Sequence, residues 1–487
     1  MPKVRLKYSP YLRNERSLYM NKTRIFVSSL LVTAMSFSLL SCSSSKDSSV
    51  SESKRDLDSS VREEIHENAE NNDLLSGELE NKEIKWLSDW DINPDGTGKN
   101  VPTELAVFQE KYGGTIKYYP TTYENRFDDL SHYISSGEGI DFFYAGNLDA
   151  FPNGAIRGMF APVDDYIDFS EPLWEDIQEL NDSFIWDGKH YLVAVEATGD
   201  NVAVVYNRKT IAEAGLEDPK DLYDRGEWNW DTFQDMLQRF SDPDNQHYGL
   251  DGWWFEFGLI DTTGVTPVSI EDGKLVNNLS DPAIERVENR LFDLYQMGCI
   301  AIGVGDYGWD ARPNYIGEGK SLFYPVGLYE FYTEKAQWQS KFGEDVFFVP
   351  MPKDPDADEY YIPTGMNSYM FGSGGSNPEG VAKFLECKRF AMLDEATGEI
   401  GAQQFRDDFG WTDEMLEMKD EMNRLASENP VIDISRGISK DCGKVLDDNM
   451  RNASRGTPWS ETYDMINSVV DKFIDEINAA PTSADIE

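Results

Sequence analysis

The segment from Glu83 to Asp149 constrains the fold most, because strand-like and helix-like patterns alternate along it. Three short runs rich in β-branched and aromatic residues are separated by two segments with apolar residues at helical spacing. The runs cover residues 83–90, 115–119 and 140–144. This βαβαβ order predicts a parallel sheet with right-handed crossovers, so we expect an α/β fold.

Ligands of parallel sheets bind beyond the carboxyl ends of the strands. Trp90 ends the first run, while Asn147 and Asp149 follow the third, so these three side chains are candidate ligand contacts. Trp90 has a second interpretation, which is burial in the core. No glycine-rich phosphate-binding fingerprint follows the first run, and this argues against a nucleotide site.

The N-terminal residues carry the pattern of an export signal. Basic residues precede an apolar run that ends just before Cys42, and this predicts a signal peptide over residues 1–41. The start is either Met1 or Met20. The apolar run is short for a stable membrane span, so we expect cleavage of this segment.

Residues 42–81 are rich in Ser, Asp, Glu and Asn, which predicts a flexible tether because such a segment has little to bury. A short helix around residues 61–75 is an open alternative within it. Ser41 before Cys42 resembles the bacterial lipobox. The resemblance implies lipidation of Cys42, for example by palmitate, and a position on the extracellular face of the cell membrane.

Composition excludes several kinds of site. The formal net charge is −45, whereas nucleic-acid binding needs a basic surface, so we expect no nucleic-acid partner. The histidines are scattered, and Cys299, Cys387 and Cys442 lack CxxC spacing. We therefore predict no metal site and no cofactor, and one disulfide is an open alternative. Residues 354–358 have the acid spacing of a calcium loop without its Gly and final Glu, which indicates a surface turn.

The stretch from Trp186 to Phe240 predicts a passage between two lobes. Two strand-like runs, residues 191–195 and 202–206, flank the polar or small residues from Glu196 to Asp200. A helix capped by Asn207 and a second helix with apolar residues at helical spacing follow. We therefore predict that Glu196 and Asp200 meet a ligand.

Five blocks along the chain resemble the extracellular solute-binding proteins of bacterial ABC importers, in the sugar-binding branch that includes maltose-binding proteins. The blocks are residues 135–141, 159–164, 188–215, 319–329 and 377–385. Ile140 and Ala194 stand where the family usually has proline. The resemblance implies a two-lobed periplasmic-binding-protein-like fold with the ligand cleft at the hinge, and docking of the closed form on a membrane permease. One lobe would hold residues 82–195 plus about 362–412, and the other 196–361 plus about 413–487.

The resemblance also implies ligand contacts, because sugars stack on aromatic rings and bond carboxylates through their hydroxyls. Glu196 stands where the maltose-binding branch has an acid that bonds sugar hydroxyls, and Tyr329 matches a stacking tryptophan. Trp253 and Trp254 lie where that branch has cleft aromatics. We place this pair on a strand, so that one ring faces the cleft and the other the core. Trp309 and Trp411 are further aromatic candidates.

The function implied is a lipid-anchored receptor that binds a carbohydrate and delivers it to permease subunits without catalysis. Three alternatives are open. The same fold could bind another solute, such as a polyamine or a peptide. A secreted glycoside hydrolase would need two carboxyl groups at defined separation, and no such pair stands out among the many acids. A cell-surface adhesin would need no hinge.

Overall fold

The computed structural model describes residues 57–94, 101–252, 254–271, 273–301 and 311–481. The predicted signal peptide, Cys42, Trp253 and Trp309 lie outside these residues. In the described part of the chain, no helix combines the length and the apolar character needed to cross a membrane.

Strands and helices alternate along most of the described chain. The strands are β1 (Glu83–Ser88), β2 (Thr115–Pro120), β3 (Phe142–Tyr144), β4 (Phe160–Ala161), β5 (Ile185–Trp186), β6 (Lys189–His190), β7 (Leu192–Thr198), β8 (Ala203–Asn207), β9 (Tyr248–Leu250), β10 (Val268–Glu271), β11 (Lys274–Asn277), β12 (Ser321–Val326), β13 (Val346–Pro350) and β14 (Gly365–Gly372). The helices are α1 (Ser59–Glu70), α2 (Thr103–Tyr112), α3 (Arg126–Ser136), α4 (Asn153–Ile156), α5 (Gln178–Asp182), α6 (Arg208–Glu213), α7 (Pro219–Asp224), α8 (Trp230–Phe240), α9 (Phe255–Asp261), α10 (Pro282–Gln296), α11 (Asn314–Gly317), α12 (Lys335–Phe342), α13 (Pro378–Leu393), α14 (Glu395–Gln404), α15 (Asp413–Glu428), α16 (Ser435–Ile438), α17 (Lys440–Asn449) and α18 (Trp459–Asn478).

The first sheet contains the predicted βαβαβ unit. Its strand order is β2-β1-β3-β14-β4, and β7 also pairs with β14. β1 is parallel to both β2 and β3, which confirms the parallel pairing expected for the βαβαβ unit. β14 runs antiparallel to β3, β4 and β7, so the sheet as a whole is mixed. Gly113 ends α2 and Gly137 ends α3, each in the left-handed conformation that glycine adopts without strain.

Aromatic rings fill the space between this sheet and helices α2 and α13. Trp86 of β1 is fully buried, with its ring centroid 4.5 Å from that of Phe142 on β3. Phe384 of α13 lies 5.7 Å from Phe142 and 5.4 Å from Phe108 of α2. This packing fixes the strands whose carboxyl ends carry the candidate site.

The second sheet has the strand order β13-β8-β12-β9, and every residue of β8 and β12 is buried. β8 leads directly into α6. The Asn207 side chain accepts hydrogen bonds from the backbone N–H groups of Lys209 (3.0 Å) and Thr210 (3.3 Å), so it caps the helix as predicted. α8 also buries its predicted stripe, which includes Trp230, Phe233 and Leu237.

The two sheets are connected where β7 leads to β8 and where β13 leads to β14. The sequence places Glu196 between two strand-like runs, but in the structure it lies within β7 and pairs with Asn367 of β14. β7 continues through the polar residues because the hydrogen bonds between β7 and β14 join backbone groups, which every residue has regardless of its side chain. Only residues 199–202 separate β7 from β8.

The predicted tether is too long, because residues 57–81 are folded against the first sheet's helices. Ile65 and Ala69 of α1 are fully buried. Arg62 of α1 donates a hydrogen bond of 2.9 Å to Glu110 of α2. The few apolar residues of this segment are enough to hold it in place, because α2 and α14 supply the surface against which they are buried. The same segment in isolation would have no surface to pack on.

The three cysteines within the described residues all carry free thiols. Cys299, Cys387 and Cys442 are buried in separate parts of the core. The structure therefore contains no disulfide between them, and the alternative left open by the sequence does not apply.

Candidate ligand-binding site

The carboxyl edge of the first sheet presents aromatic side chains. Trp90 follows β1 and is 41% exposed, while Tyr123 follows β2 and is 42% exposed. The Trp90 ring packs edge-on against Trp86 at 5.3 Å between centroids and lies 6.2 Å from Tyr144, the last residue of β3. Trp90 is therefore a half-exposed ring on the sheet edge and not a core residue.

The passage between the sheets brings Glu196 and Asp200 to the same place. Glu196 accepts a hydrogen bond of 3.0 Å from the side-chain amide of Asn423 on α15. The carboxylate of Asp200 accepts one of 2.7 Å from the Tyr332 hydroxyl and another from the Thr198 hydroxyl. The two predicted acids therefore belong to one polar cluster with Thr198 and Tyr332, and α15 contributes Asn423 to it.

The charges of this cluster act on one another. Burial raises the pKa of the Glu196 carboxyl, Lys419 lowers it, and Asp200 raises it. Burial and then the negative charge of Asp200 raise the pKa of Tyr332 well above its ordinary value. Burial, Tyr369 and Asp200 raise the pKa of Tyr144. Both phenol groups therefore remain protonated hydrogen-bond donors at neutral pH, beside carboxylate acceptors.

Asp149 is committed to an ion pair. Its carboxylate pairs with Arg126 at the start of α3, and the Arg126 guanidinium lies 3.7 Å from the centroid of the Tyr123 ring. Burial raises the pKa of Asp149, and Arg126 opposes that rise. Asn147 lies two residues earlier in an exposed turn. Of these two predicted contacts, Asn147 is the one whose side chain faces solvent.

Trp254 does not lie on a strand, so the argument that adjacent tryptophans point to opposite faces is wrong here. It is the residue that precedes α9, and it is half-buried. The guanidinium groups of Arg436 and Arg451 each lie 5.5 Å from its ring centroid. The chain turns into a helix at this point, which the strand-like aromatic composition conceals.

Tyr329 and Trp411 have opposite environments. Tyr329 is 53% exposed in the short helical turn that follows β12. Trp411 is only 3% exposed, and its indole N–H donates a hydrogen bond of 3.0 Å to the carbonyl of Phe331. Its ring packs 5.8 Å from Tyr332. This burial conflicts with the expectation that Trp411 lines a cleft. The Trp411 ring instead packs against Tyr332.

Sequence reasoning did not identify four residues of this region. Tyr144 ends a predicted strand, so its position at the carboxyl edge was a usable signal. Tyr123 follows the second strand in the same way. Tyr332 and Asn423 have no such signal, because their contacts with Asp200 and Glu196 join segments more than a hundred residues apart.

The acid-rich turn at residues 354–358 is held by protein contacts. Asp354 is fully buried and pairs with Arg286, and it accepts a hydrogen bond of 3.0 Å from the backbone N–H of Asp356. Across the described residues, no three His, Cys, Asp or Glu side chains are grouped to hold a metal ion.

Comparisons with known proteins agree with this arrangement. Residues 93–387, more than half of the chain, match the family model of bacterial extracellular solute-binding proteins. The comparison with curated proteins found no match.

Several solved structures share the fold. A cyclo/maltodextrin-binding protein complexed with maltotetraose is similar with a TM-score of 0.57 and 16% identity, over 84% of this chain and 100% of that one. An extracellular solute-binding protein from Staphylococcus aureus in complex with maltose has a TM-score of 0.56 and 13% identity, over 82% and 99%. A substrate-binding protein from Listeria monocytogenes in complex with cycloalternan has a TM-score of 0.54 and 16% identity, over 81% and 98%.

Identities this low show the fold alone. The similar structures confirm the α/β architecture with two lobes that the sequence resemblance implied. Together with the family match over more than half of its length, they lead to one conclusion: this chain belongs to the family of bacterial extracellular solute-binding proteins.

Proposed function

We propose that this chain is a lipid-anchored substrate-binding protein of an ABC importer, which captures a sugar or oligosaccharide between its lobes and delivers it to a membrane permease. Membership of a binding-protein family supports this. So do the maltotetraose, maltose and cycloalternan named with the similar structures. Anchoring through Cys42 is inferred from its lipobox alone.

The observation that carries the proposal is the cluster around Glu196 and Asp200. It combines two carboxylate acceptors with the Tyr332 hydroxyl and the Asn423 amide, which donate hydrogen bonds to them. Hydroxyl groups of a sugar can both donate and accept, so they match such a mixed cluster. Trp90 stands at the neighbouring sheet edge with a half-exposed ring on which the apolar face of a sugar can stack.

The proposed contact set keeps the predicted residues that have accessible or half-buried side chains. These are Glu196, Asp200, Trp90, Tyr329, Trp254, Asn147 and Asp149. Tyr332 and Asn423 join them because they donate hydrogen bonds to the two acids, and Tyr144 joins them because its ring lies beside Trp90. Trp253 and Trp309 lie outside the described residues and stay predictions, and Trp411 is left out because it is buried.

The two lobes are proposed with nearly the predicted boundaries. Residues 57–198 plus about 362–412 form one lobe, because α1 packs on the first sheet's helices, and 203–361 plus about 413–487 form the other. Because β7 extends to Thr198, we set the change of lobe at residues 199–202. The segment between β13 and β14 returns the chain to the first lobe.

The decisive experiment identifies the ligand. Protein purified under mild conditions is denatured, the released small molecules are analysed by mass spectrometry, and thermal-shift assays compare maltooligosaccharides, polyamines and short peptides. A sugar should raise the melting temperature by mass action. Binding of a polyamine or peptide instead would overturn the carbohydrate assignment but keep the receptor. Release of reducing ends from a glycan would overturn the receptor itself and favour a hydrolase.

The proposed contacts are tested by Glu196→Gln with Glu179→Gln as the matched control, since Glu179 is exposed on α5. Loss of a charge-assisted hydrogen bond should weaken ligand affinity by roughly 10- to 100-fold. Calorimetric titration measures the change. Equal affinities for both variants would show that Glu196 does not touch the ligand.

A further inference from the structure

Helix α16 brings the second lobe into contact with the first. It packs with α17 and α18 and also against α4, which lies beside the first sheet. Gly437 of α16 faces the loop that follows β3. A Cβ atom at Gly437 would lie 1.6 Å from the carbonyl oxygen of Phe151 and 2.9 Å from that of Leu148. Both distances are too short for any side chain, so the approach is one of backbone to backbone.

The contact leaves room at this position for a hydrogen atom and for no larger group, because the Phe151 carbonyl oxygen occupies the place of a Cβ atom. The obstructing atoms belong to the backbone of the other lobe, so rotation of a side chain could not relieve the clash that a larger residue would cause.

The neighbouring residue adds charge to the same contact. Arg436 pairs with Asp447 at 2.9 Å and lies over the Trp254 ring at 5.5 Å. Its positive charge also acts, after that of Arg126, on Tyr123 and Asp149 of the first lobe. Burial raises the pKa of both groups, and the positive charge of Arg436 opposes the rise in each. Arg436 therefore lies over Trp254, a proposed ligand contact of the second lobe, while its charge acts on Tyr123 and Asp149 of the first.

We propose that α16 is the closing latch of this protein. Gly437 admits the backbone of the first lobe, and Arg436 holds the two lobes together electrostatically. Both act as positioning residues that set how long a ligand is retained. The effect on retention rests on the proposed function, whereas the docking of α16 on the loop at residues 148–151 does not.

Hydrogen exchange tests the docking without any ligand. Gly437→Ala is compared with Gly398→Ala, whose added Cβ would meet its nearest atom at an ordinary 3.7 Å. We expect peptides covering residues 145–152 and 434–438 to exchange at least roughly tenfold faster in Gly437→Ala only. Unchanged circular dichroism and melting temperature in both variants establish that the lobes themselves fold. Identical exchange in both variants would overturn the latch.

Ligand kinetics test the consequence. With the ligand found by mass spectrometry, Gly437→Ala should raise the dissociation rate at least roughly tenfold and change the association rate much less. Faster hydrogen exchange with an unchanged dissociation rate would overturn the retention role. A wild-type protein that binds no small molecule would refute the proposed function, and the exchange experiment would still decide the docking.

A second pair of variants covers the case in which Gly437→Ala fails to fold. Arg436→Met removes the charge and leaves the backbone, whereas Arg436→Lys keeps the charge. We expect faster exchange at residues 145–152 in Arg436→Met, substantial rescue in Arg436→Lys, and a difference that shrinks at high salt. Equal exchange in the two Arg436 variants would contradict the electrostatic part of the latch.

Discussion

At the scale of single residues, Glu288 of α10 has an unusual environment. Only 1% of the residue is exposed, and neither carboxyl oxygen has a hydrogen-bond donor among the described residues. Burial, and then the nearby Glu256, raises the pKa of Glu288 well above its ordinary value. A buried carboxyl group without a compensating charge stays protonated rather than ionising.

The contribution of Glu288 to the stability of the protein should therefore fall as the pH rises above the ordinary pKa of a glutamate. Below about pH 4.5 both folded and unfolded chains hold the Glu288 proton; above it the unfolded chain releases the proton and the folded chain does not. Glu288→Gln should raise the free energy of unfolding by about 1–3 kcal/mol near neutral pH and change it little at low pH. Urea unfolding at both pH values measures this. An equal change in the free energy of unfolding at both pH values would contradict the protonation of buried Glu288.

Tyr332 offers a test of the polar cluster. Tyr332→Phe removes the hydroxyl that donates to Asp200 at 2.7 Å and keeps the ring that packs on Trp411. We expect ligand affinity to weaken by about 1–2 kcal/mol, because the Asp200 carboxylate loses a buried donor. Calorimetry measures this, with Tyr166→Phe as the control at an exposed tyrosine. No loss of affinity would place the ligand away from Asp200.

At the scale of elements, α1 shows how tertiary packing rescues a weak local pattern. The helix lies outside the residues matched by the family model, yet it buries Ile65 and Ala69 against α2 and α14. Tyr112 of α2 also donates a hydrogen bond of 3.0 Å to the backbone of Ser76, which follows the helix. α1 is therefore part of the folded structure around the first sheet and not of a flexible attachment.

Ile65→Ala should lower the free energy of unfolding by about 2–5 kcal/mol, since it leaves a cavity in a packed interface. Glu63→Ala, on the exposed face of the same helix, should change it by less than about 0.5 kcal/mol. Denaturant unfolding of both variants measures the difference. If Ile65→Ala had no effect, α1 would unfold independently of the rest of the chain.

At the scale of the whole molecule, the formal net charge of −45 makes like charges repel across the folded surface. Screening shortens the range of this repulsion from about 30 Å at 0.01 M salt to about 3 Å at 1 M. We expect the melting temperature to rise with sodium chloride over this range, as measured by differential scanning calorimetry. A fall would mean that the surface ion pairs outweigh the net repulsion.

The sequence by itself determined the features that depend on neighbours in the chain. The βαβαβ order predicted the parallel pairing of β1 with β2 and β3, because the spacing of apolar residues fixes which face of each element is buried. It did not predict β14, which comes from far along the chain and makes the sheet mixed. Asn207 predicted the start of α6, because a cap acts on backbone groups two and three residues away. Glu196 and Asp200 were predicted as ligand contacts because polar residues follow an apolar run, and as ligand contacts they stay predictions.

Only the tertiary structure decided the features that depend on distant partners. The burial of Trp411 is set by Phe331 and Tyr332, and the fold of α1 by α2 and α14. The environment of Glu196 is set by Asn423, and the approach at Gly437 by the carbonyl of Phe151. Composition and periodicity describe what a segment can bury, but the surface that it meets is formed by residues far along the chain. Contacts of that kind exist only once the chain has folded.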